Sequence, residues 1–124
     1  MICNDYELEL IREKCGLGEA DILQRAQHLV VTRGENGSSV FHGSERYDVP
    51  AVAPSRIADP TGVGDAYRGG FMKGLAAAAP LQNCARLGSV AATYALEHLG
   101  GTSHSYTWKE FQARYEQHFG ALQI

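Results

Sequence analysis

The tetrapeptide Gly62-Val63-Gly64-Asp65 sets two glycines around a valine directly before an aspartate, and the aspartate opens a stretch with helical patterning. A helix start offers free N–H donors and the positive end of the backbone dipole, so this arrangement aims amides at an anion beside a carboxylate. The carboxylate can take a proton from a nearby nucleophile. An anion hole next to a base is the equipment of phosphoryl transfer. Gly62 and Gly64 can adopt positive φ and let a phosphate approach the backbone, while Val63 contributes only its N–H. Asp65 falls at the N-cap or in the first turn, where a carboxylate also serves as a plain helix cap. Two other glycine-rich loops fail on spacing. A dinucleotide fingerprint needs a third glycine where Tyr67 stands, and a Walker A loop needs a Gly-Lys-Ser/Thr triplet that the chain lacks.

Two further stretches could serve the same chemistry. Val30-Val31-Thr32-Arg33-Gly34-Glu35-Asn36-Gly37 reads as a strand running into a turn, and Asn4-Asp5-Tyr6-Glu7 places Asn4 and Glu7 three residues apart, on one face of a helix. Each has a simpler reading. Gly and Asn are ordinary hairpin residues, and Asn-x-x-Glu is also an N-cap with its capping-box partner.

The segment Asp59-Pro60-Thr61-Gly62-Val63-Gly64-Asp65, followed by Gly69-Gly70-Phe71, resembles the C-terminal signature of the ribokinase-like (PfkB) family of sugar and nucleoside kinases. The Val30–Gly37 stretch resembles that family's segment at the ATP phosphates, and Asn4-Asp5-Tyr6-Glu7 its Asn-x-x-Glu motif. The three occur in the family's order. Asp-Pro-Thr-Gly-Val-Gly-Asp joined to Ala66-Tyr67-Arg68 most resembles the bacterial adenosine-kinase branch, although the commoner family form has Thr at the position of Pro60.

The resemblance implies an α/β chain forming the C-terminal portion of a three-layer α/β/α fold, with residues 1–124 as one partial kinase domain. It implies ATP-dependent phosphorylation of a hydroxyl on an adenosine-like nucleoside or a sugar. Asp65 would be the base, and the amides of Gly62, Val63, Gly64 and Asp65 the anion hole. Thr32, Gly34, Glu35, Asn36 and Gly37 would line the nucleotide. Asn4 and Glu7 would hold a magnesium-bound water network. Ser89 falls where the family often meets the adenine ring, sometimes through Asn; with Ser there, helix packing is the stronger reading. Asp59 and Thr61, with the Gly100-Gly101 loop, could offer oxygens to a monovalent cation such as K+, a hard ion suited to oxygen donors.

Family members are much longer, and the match covers only their C-terminal part. The expectation is therefore a fragment, a truncated product or half of a split kinase, with an open sheet edge and an uncovered face favouring self-association or pairing with the missing half. A non-catalytic nucleotide-binding remnant and a regulatory ligand-binding module are the alternatives.

Composition sets outer limits. At 124 residues the chain suffices for one modest core. Its net charge of −3 gives no electrostatic case for nucleic acid or an anionic membrane. No apolar run approaches the ~20 residues of a membrane span. The start carries no signal-peptide pattern, and three cysteines without C-x-x-C spacing read as reduced, mostly buried thiols of a cytoplasmic protein.

The elements that must position these residues follow from pattern. A helix from Asn4 or Asp5 to Cys15, with Leu8, Ile11 and Leu10 inward, ends at Gly16. A second helix covers Gly18–Gln27, and His28–Thr32 reads as a buried parallel strand. Asn36-Gly37 between the His28–Thr32 run and the next strand-like run is a hairpin signal. Ser38–His42 and Glu45–Val49 read as short strands with His42-Gly43-Ser44 turning between them, and 50–60 is an extended connection. A Gly/Ala-rich helix from Asp65 to about Ala79 stops at Pro80. A helix over Leu81–Leu99 carries small residues suited to close packing or to a flat ligand. Thr107-Trp108-Lys109-Glu110 is a capping box for a last helix whose Trp108, Phe111, Tyr115 and Phe119 form a core stripe.

Overall fold

A computed structural model describes residues 1–55, 57, 62–97 and 107–122. Asp59, Pro60, Thr61, His98, His104 and the Gly100-Gly101 loop lie outside the described residues.

The chain opens with strand β1 (Ile2–Asn4), helix α1 (Asp5–Cys15), short helix α2 (Glu19–Leu23) and strand β2 (Leu29–Thr32). A 3-10 turn (Gly34–Asn36) leads to strands β3 (Ser38–His42) and β4 (Glu45–Val49). Helices α3 (Val63–Ala76), α4 (Leu81–Leu96) and α5 (Trp108–Phe119) complete it. The sheet order is β1-β2-β3-β4, with β1 parallel to β2 and the other pairs antiparallel.

Alternation along the strands gives the sheet two apolar faces. Cys3, Leu29 and Val31 pack with Leu8 of α1 and Ile22 of α2. Val30, Val40 and Val49 pack with Tyr67 and Phe71 of α3 and Cys84 and Ala85 of α4. The described residues thus stack helix, sheet and helix, with α5 added through Phe111 and Tyr115 against Leu87, Val90 and Ala91 of α4.

Several boundaries depart from the sequence reading. Leu10 is exposed, leaving Leu8 as the buried residue of α1 and Ile11 half-buried. The second helix shrinks to α2, because after Leu23 the chain closes in turns in which the Arg25 and Ala26 N–H groups both donate to the Ile22 carbonyl. Helix α3 starts at Val63, two residues early, and ends at Ala76. Pro80 disfavours helical backbone at the residue before it, and Ala78 turns with φ of 56°. Trp108 is exposed rather than part of the core stripe; it stacks on Phe111 and carries the Lys73 ammonium 4.5 Å from its ring. Thr107 caps α5 by accepting the Glu110 N–H at 3.1 Å. Two of the three cysteines are buried, and Cys15 is exposed.

The small residues of α3 and α4 serve close packing. A Cβ at Gly70 would lie 2.6 Å from the Leu87 carbonyl oxygen, one at Gly74 2.8 Å from Cys84 Sγ, and one at Gly88 2.9 Å from the Tyr67 ring. Gly69 next door meets nothing within 4 Å. Gly70→Ala is therefore expected to destabilise the chain by roughly 1–3 kcal/mol through overpacking against rigid backbone. Gly69→Ala should stabilise it by about 0.5–1 kcal/mol through helix propensity. Urea unfolding of the two variants checks this, and equal effects would show that α3 and α4 are not in backbone contact.

Candidate active site

Both parallel strands, β1 and β2, end at the same edge of the sheet, with Asn4 opposite Thr32. Ligand sites of open α/β sheets form beyond such carboxyl ends. The chain leaves β1 straight into α1, capped by a reciprocal box: Asn4 Oδ1 accepts the Glu7 N–H at 2.7 Å, and Glu7 Oε1 accepts the Asn4 N–H at 2.9 Å. It leaves β2 into the 3-10 turn, closed by the Arg33 N–H donating to the Gly37 carbonyl at 2.8 Å. Gly34 and Gly37 both take positive φ, at 56° and 84°. A Cβ at Gly37 would collide with the Val49 carbonyl, whereas one at Gly34 would stand in open space. The turn is therefore a five-residue loop between Thr32 and Ser38, with Asn36 on ordinary backbone, and not a two-residue Asn-Gly hairpin.

Gly62 is the N-cap of α3 with φ of 80°. The helical ladder begins with the Ala66 N–H donating to the Gly62 carbonyl at 2.9 Å. The N–H groups of Val63, Gly64 and Asp65 precede it and have no acceptor within the helix. Only Gly62 of the two motif glycines has positive φ. This corrects the expectation for Gly64, which is helical and whose Cβ would come no nearer than 3.8 Å to Arg68 Nη1. A Cβ at Gly64 would meet only the far end of the flexible Arg68 side chain, which suits close approach of a ligand to the backbone.

Tertiary contacts carry the start of α3 to the strand ends. The Tyr67 hydroxyl donates to Ser38 Oγ at 2.9 Å, next to Thr32 in the ladder. Burial pushes this phenol up to about 12, so it stays a neutral donor. Arg68 donates to the Ile2 carbonyl at 3.4 Å, lies 3.3 Å from Asp65 Oδ1 and reaches to 3.9 Å from Glu7 Oε1. One guanidinium thus joins residues of two motifs 58 positions apart in sequence. The Asp65 carboxylate is 88% exposed and open to a substrate.

Arg68 received no role in the sequence reading. Its spacing of three from Asp65 puts both on one helix face, but its reach to Glu7 exists only in the folded chain. Ser89 lies apart from this cluster. It is buried in the middle of α4, and its hydroxyl donates to the Ala85 carbonyl at 3.1 Å. Asp59 and Thr61 fall outside the described residues.

An open cavity of about 450 Å³ adjoins the turn, lined by Arg33, Asn36, Arg46 and Asp48 among others. Arg33 Nη1 donates to the buried Ser39 hydroxyl at 2.6 Å, and that hydroxyl donates to Asp48 at 2.5 Å. The Ser39 hydrogen bond, then Arg46, holds the Asp48 carboxyl below its usual range.

Hard oxygens are present at the strand ends, but each Asn4–Glu7 capping bond uses one of them. Glu7 Oε2 takes no part in the capping bonds. Among the described residues no group of three or more His, Cys, Asp or Glu side chains could hold a metal ion. This donor set fits Mg2+, which keeps several waters and relies on one or two carboxylates plus substrate phosphates. It does not fit an all-protein cage. No described helix is long and apolar enough to cross a membrane.

Comparison with known proteins gives the arrangement its relatives. The chain is 29% identical over 118 residues to a nucleoside kinase of Methanocaldococcus jannaschii, covering 95% of this chain and 39% of the relative. It superposes on the Burkholderia thailandensis nucleoside kinase, in a complex with inosine, with a TM-score of 0.95 and 37% identity, over 98% of this chain and 41% of that one. A further structure of that protein is a complex with ADP-inosine. The adenosine kinase of Sinorhizobium meliloti matches with a TM-score of 0.76 and 29% identity, over 91% of this chain and 35% of that one. The chain thus spans about two fifths of the length of these relatives. Residues 1–108 match the family described as pfkB family carbohydrate kinase, and the chain belongs to that family.

Proposed function

We propose that this chain is the nucleotide-binding and catalytic part of an ATP-dependent kinase that phosphorylates a hydroxyl of a nucleoside, adenosine-like in kind, or of a sugar. The observation that carries the reading is the meeting of the α3 start with the carboxyl ends of β1 and β2, where Asp65, the Gly62–Asp65 amides, Glu7 and the Gly34–Gly37 turn share one edge. Relatives named for nucleoside phosphorylation support the substrate class.

In this mechanism the acceptor hydroxyl gives its proton to the Asp65 carboxylate as its oxygen attacks the γ-phosphorus of ATP. The new O–P bond forms, the bond to the β,γ-bridging oxygen breaks, and ADP leaves. The amides of Val63, Gly64 and Asp65 stabilise charge on the transferring group, a preorganised contribution that acts in the transition state. Thr32 and Gly34–Gly37 line the nucleotide, and Arg33 and Arg46 place positive charge beside that turn. Glu7 and Asn4 would hold the waters of a Mg2+ ion, which when bound would supply charge neutralisation at the phosphates. Arg68 keeps Asp65 and Glu7 in register. Asp59 and Thr61 are assigned to a monovalent cation such as K+; Ser89, buried in α4 with its hydroxyl on the Ala85 carbonyl, is assigned to helix packing. The cytoplasm, which supplies ATP, is the proposed location.

The second reading is a nucleotide-binding remnant, or half of a split kinase that works only with a partner segment. The two are separated by assaying adenosine, inosine, ribose and fructose with Mg-ATP. The isolated 124 residues, which span about two fifths of the length of these relatives, are expected to bind ATP weakly and show no turnover, since phosphoryl transfer needs a covered, complete site. A hybrid in which this chain replaces the matching 41% of the Burkholderia nucleoside kinase is expected to turn over. An inactive hybrid that is folded and binds ATP would establish the remnant. Turnover by the isolated chain would show that the acceptor site is already complete.

Within that hybrid, Val63→Ala should keep activity close to the parent, since only the amide is used. Gly64→Val should abolish most of it. The ground is the side chain intruding on the phosphate's approach, because the backbone here is helical and unstrained. Steady-state kinetics decide it, and similar kcat/KM in the two variants would sink the anion-hole assignment.

A further inference from the structure

We propose that His28 and His42 form a two-imidazole chelate for a late first-row divalent ion of the Ni2+ or Cu2+ kind. His28 immediately precedes β2 and His42 ends β3. The antiparallel register pairs Leu29 with Phe41, so the two histidines stand opposite each other at the next position of the ladder. They lie at the far end of β2 from Thr32 and the phosphate turn, and the inference is independent of the kinase reading.

The geometry brings two ring nitrogens to one occupant, either the proton of an N–H···N hydrogen bond or a cation that displaces it. The Nδ1 atoms are 2.9 Å apart, and the ring centroids 4.8 Å, tilted by 47°. Facing imidazole nitrogens at that separation share either one proton or one cation. With metal–nitrogen bonds of about 2.1 Å, a 2.9 Å separation subtends roughly 90° at the ion. That is the cis angle of octahedral Ni2+ or tetragonal Cu2+, and it is well below the tetrahedral angle Zn2+ adopts. The Gln27 carbonyl oxygen, 3.1 Å from His42 Nδ1, offers a neutral third donor, and water completes the shell.

The Met1 ammonium donates to the His28 carbonyl at 2.9 Å and so ties the backbone at this end of the pair. The ladder holds both rings before the ion arrives, so little side-chain freedom is lost on binding.

The test uses the full chain with the exposed Cys15 changed to Ser, which removes a competing thiol. Calorimetric titration with Ni2+ is expected to give one site, with Zn2+ binding more weakly. Ni2+ should also raise Tm by stapling β2 to β3. His28→Gln and His42→Gln each turn the chelate into a single-ligand contact, so each should raise the Ni2+ Kd roughly tenfold or more. Each should also remove the Tm increase while leaving the far-UV spectrum unchanged. If either glutamine variant keeps the parent's Ni2+ affinity within about twofold, or if the parent chain binds no Ni2+, the pair is only a shared-proton hydrogen bond and the proposal is overturned.

Discussion

Replacing Asp65 by Asn in the hybrid enzyme is expected to lower turnover by about 10²–10⁴-fold, the worth of a positioned proton acceptor, with ATP affinity close to the parent's. Asn keeps the shape and the hydrogen-bonding reach of the side chain, but it cannot take the hydroxyl proton. The structural consequences are small. The carboxylate is 88% exposed, and its contact to Arg68 at 3.3 Å is a pair one helical turn apart on the surface, of a kind that contributes little to stability. A large fall in rate without a fall in Tm therefore separates chemistry from folding. Single-turnover assays with γ-labelled ATP provide the measurement. An unchanged rate in the Asn variant would remove Asp65 from the role of base. The companion change Arg68→Ala should fall between parent and Asp65→Asn. It loosens the carboxylate's position and its tie to Glu7 without removing the proton acceptor.

The second large effect concerns stability and lies at the other end of the helical layer. Glu97, just after α4, is 5% exposed and forms a paired contact with Arg114 of α5, both nitrogen–oxygen distances being 2.6 Å. It also accepts the Ser55 N–H at 2.6 Å and the Ser55 hydroxyl at 2.9 Å. The Arg114 hydrogen bonds come first among the causes that hold this carboxyl down to about 2 from its ordinary 4.5, against the opposing effect of burial. A depressed carboxylate stabilises the fold fully above its unfolded value. That stabilisation fades as the pH falls from about 4.5 toward 2. Its full size is at most about 3 kcal/mol, at 1.36 kcal/mol per unit. Glu97→Gln is expected to destabilise the chain at pH 7 by roughly that amount, because it leaves the half-buried Arg114, which lies over the Tyr94 ring, without its counter-charge. The shift in Tm should be on the order of 10 °C. Near pH 2.5 the difference between parent and variant should have fallen to roughly a quarter of its size at pH 7. Thermal unfolding at the two pH values checks this. A constant difference across that range would show that the Glu97 charge does not hold α4, α5 and the segment before α3 together.

Local chemistry made much of this molecule readable in one dimension. The β-branched run before Thr32, the Asn4–Glu7 box, Gly16 after α1 and the glycines before Asp65 each act within a few residues, so their types and spacing determine strand, caps and loop directly. Order and identity of the three motifs were enough to place the chain in its family. Local chemistry was weaker where elements end. Helix α3 stops short of Ala79 because Pro80 acts on the residue before it, and α2 is cut short by turns.

What only the tertiary structure decided is contact between distant residues. Whether the small residues of α4 receive a ligand or a helix depended on α3 lying against them, so that Gly88 faces the Tyr67 ring and Gly70 the Leu87 carbonyl. Ser89 turned out to be buried on that helix, and Trp108 to be exposed at the start of α5. Arg68 acquired its place between Asp65 and Glu7, and His28 its partner in His42, only when strands and helices were set side by side. Periodicity reports which face of an element is apolar; it carries no information about which distant face will cover it. That choice is made by packing of the whole layer, and in this chain it is also what gathers the site.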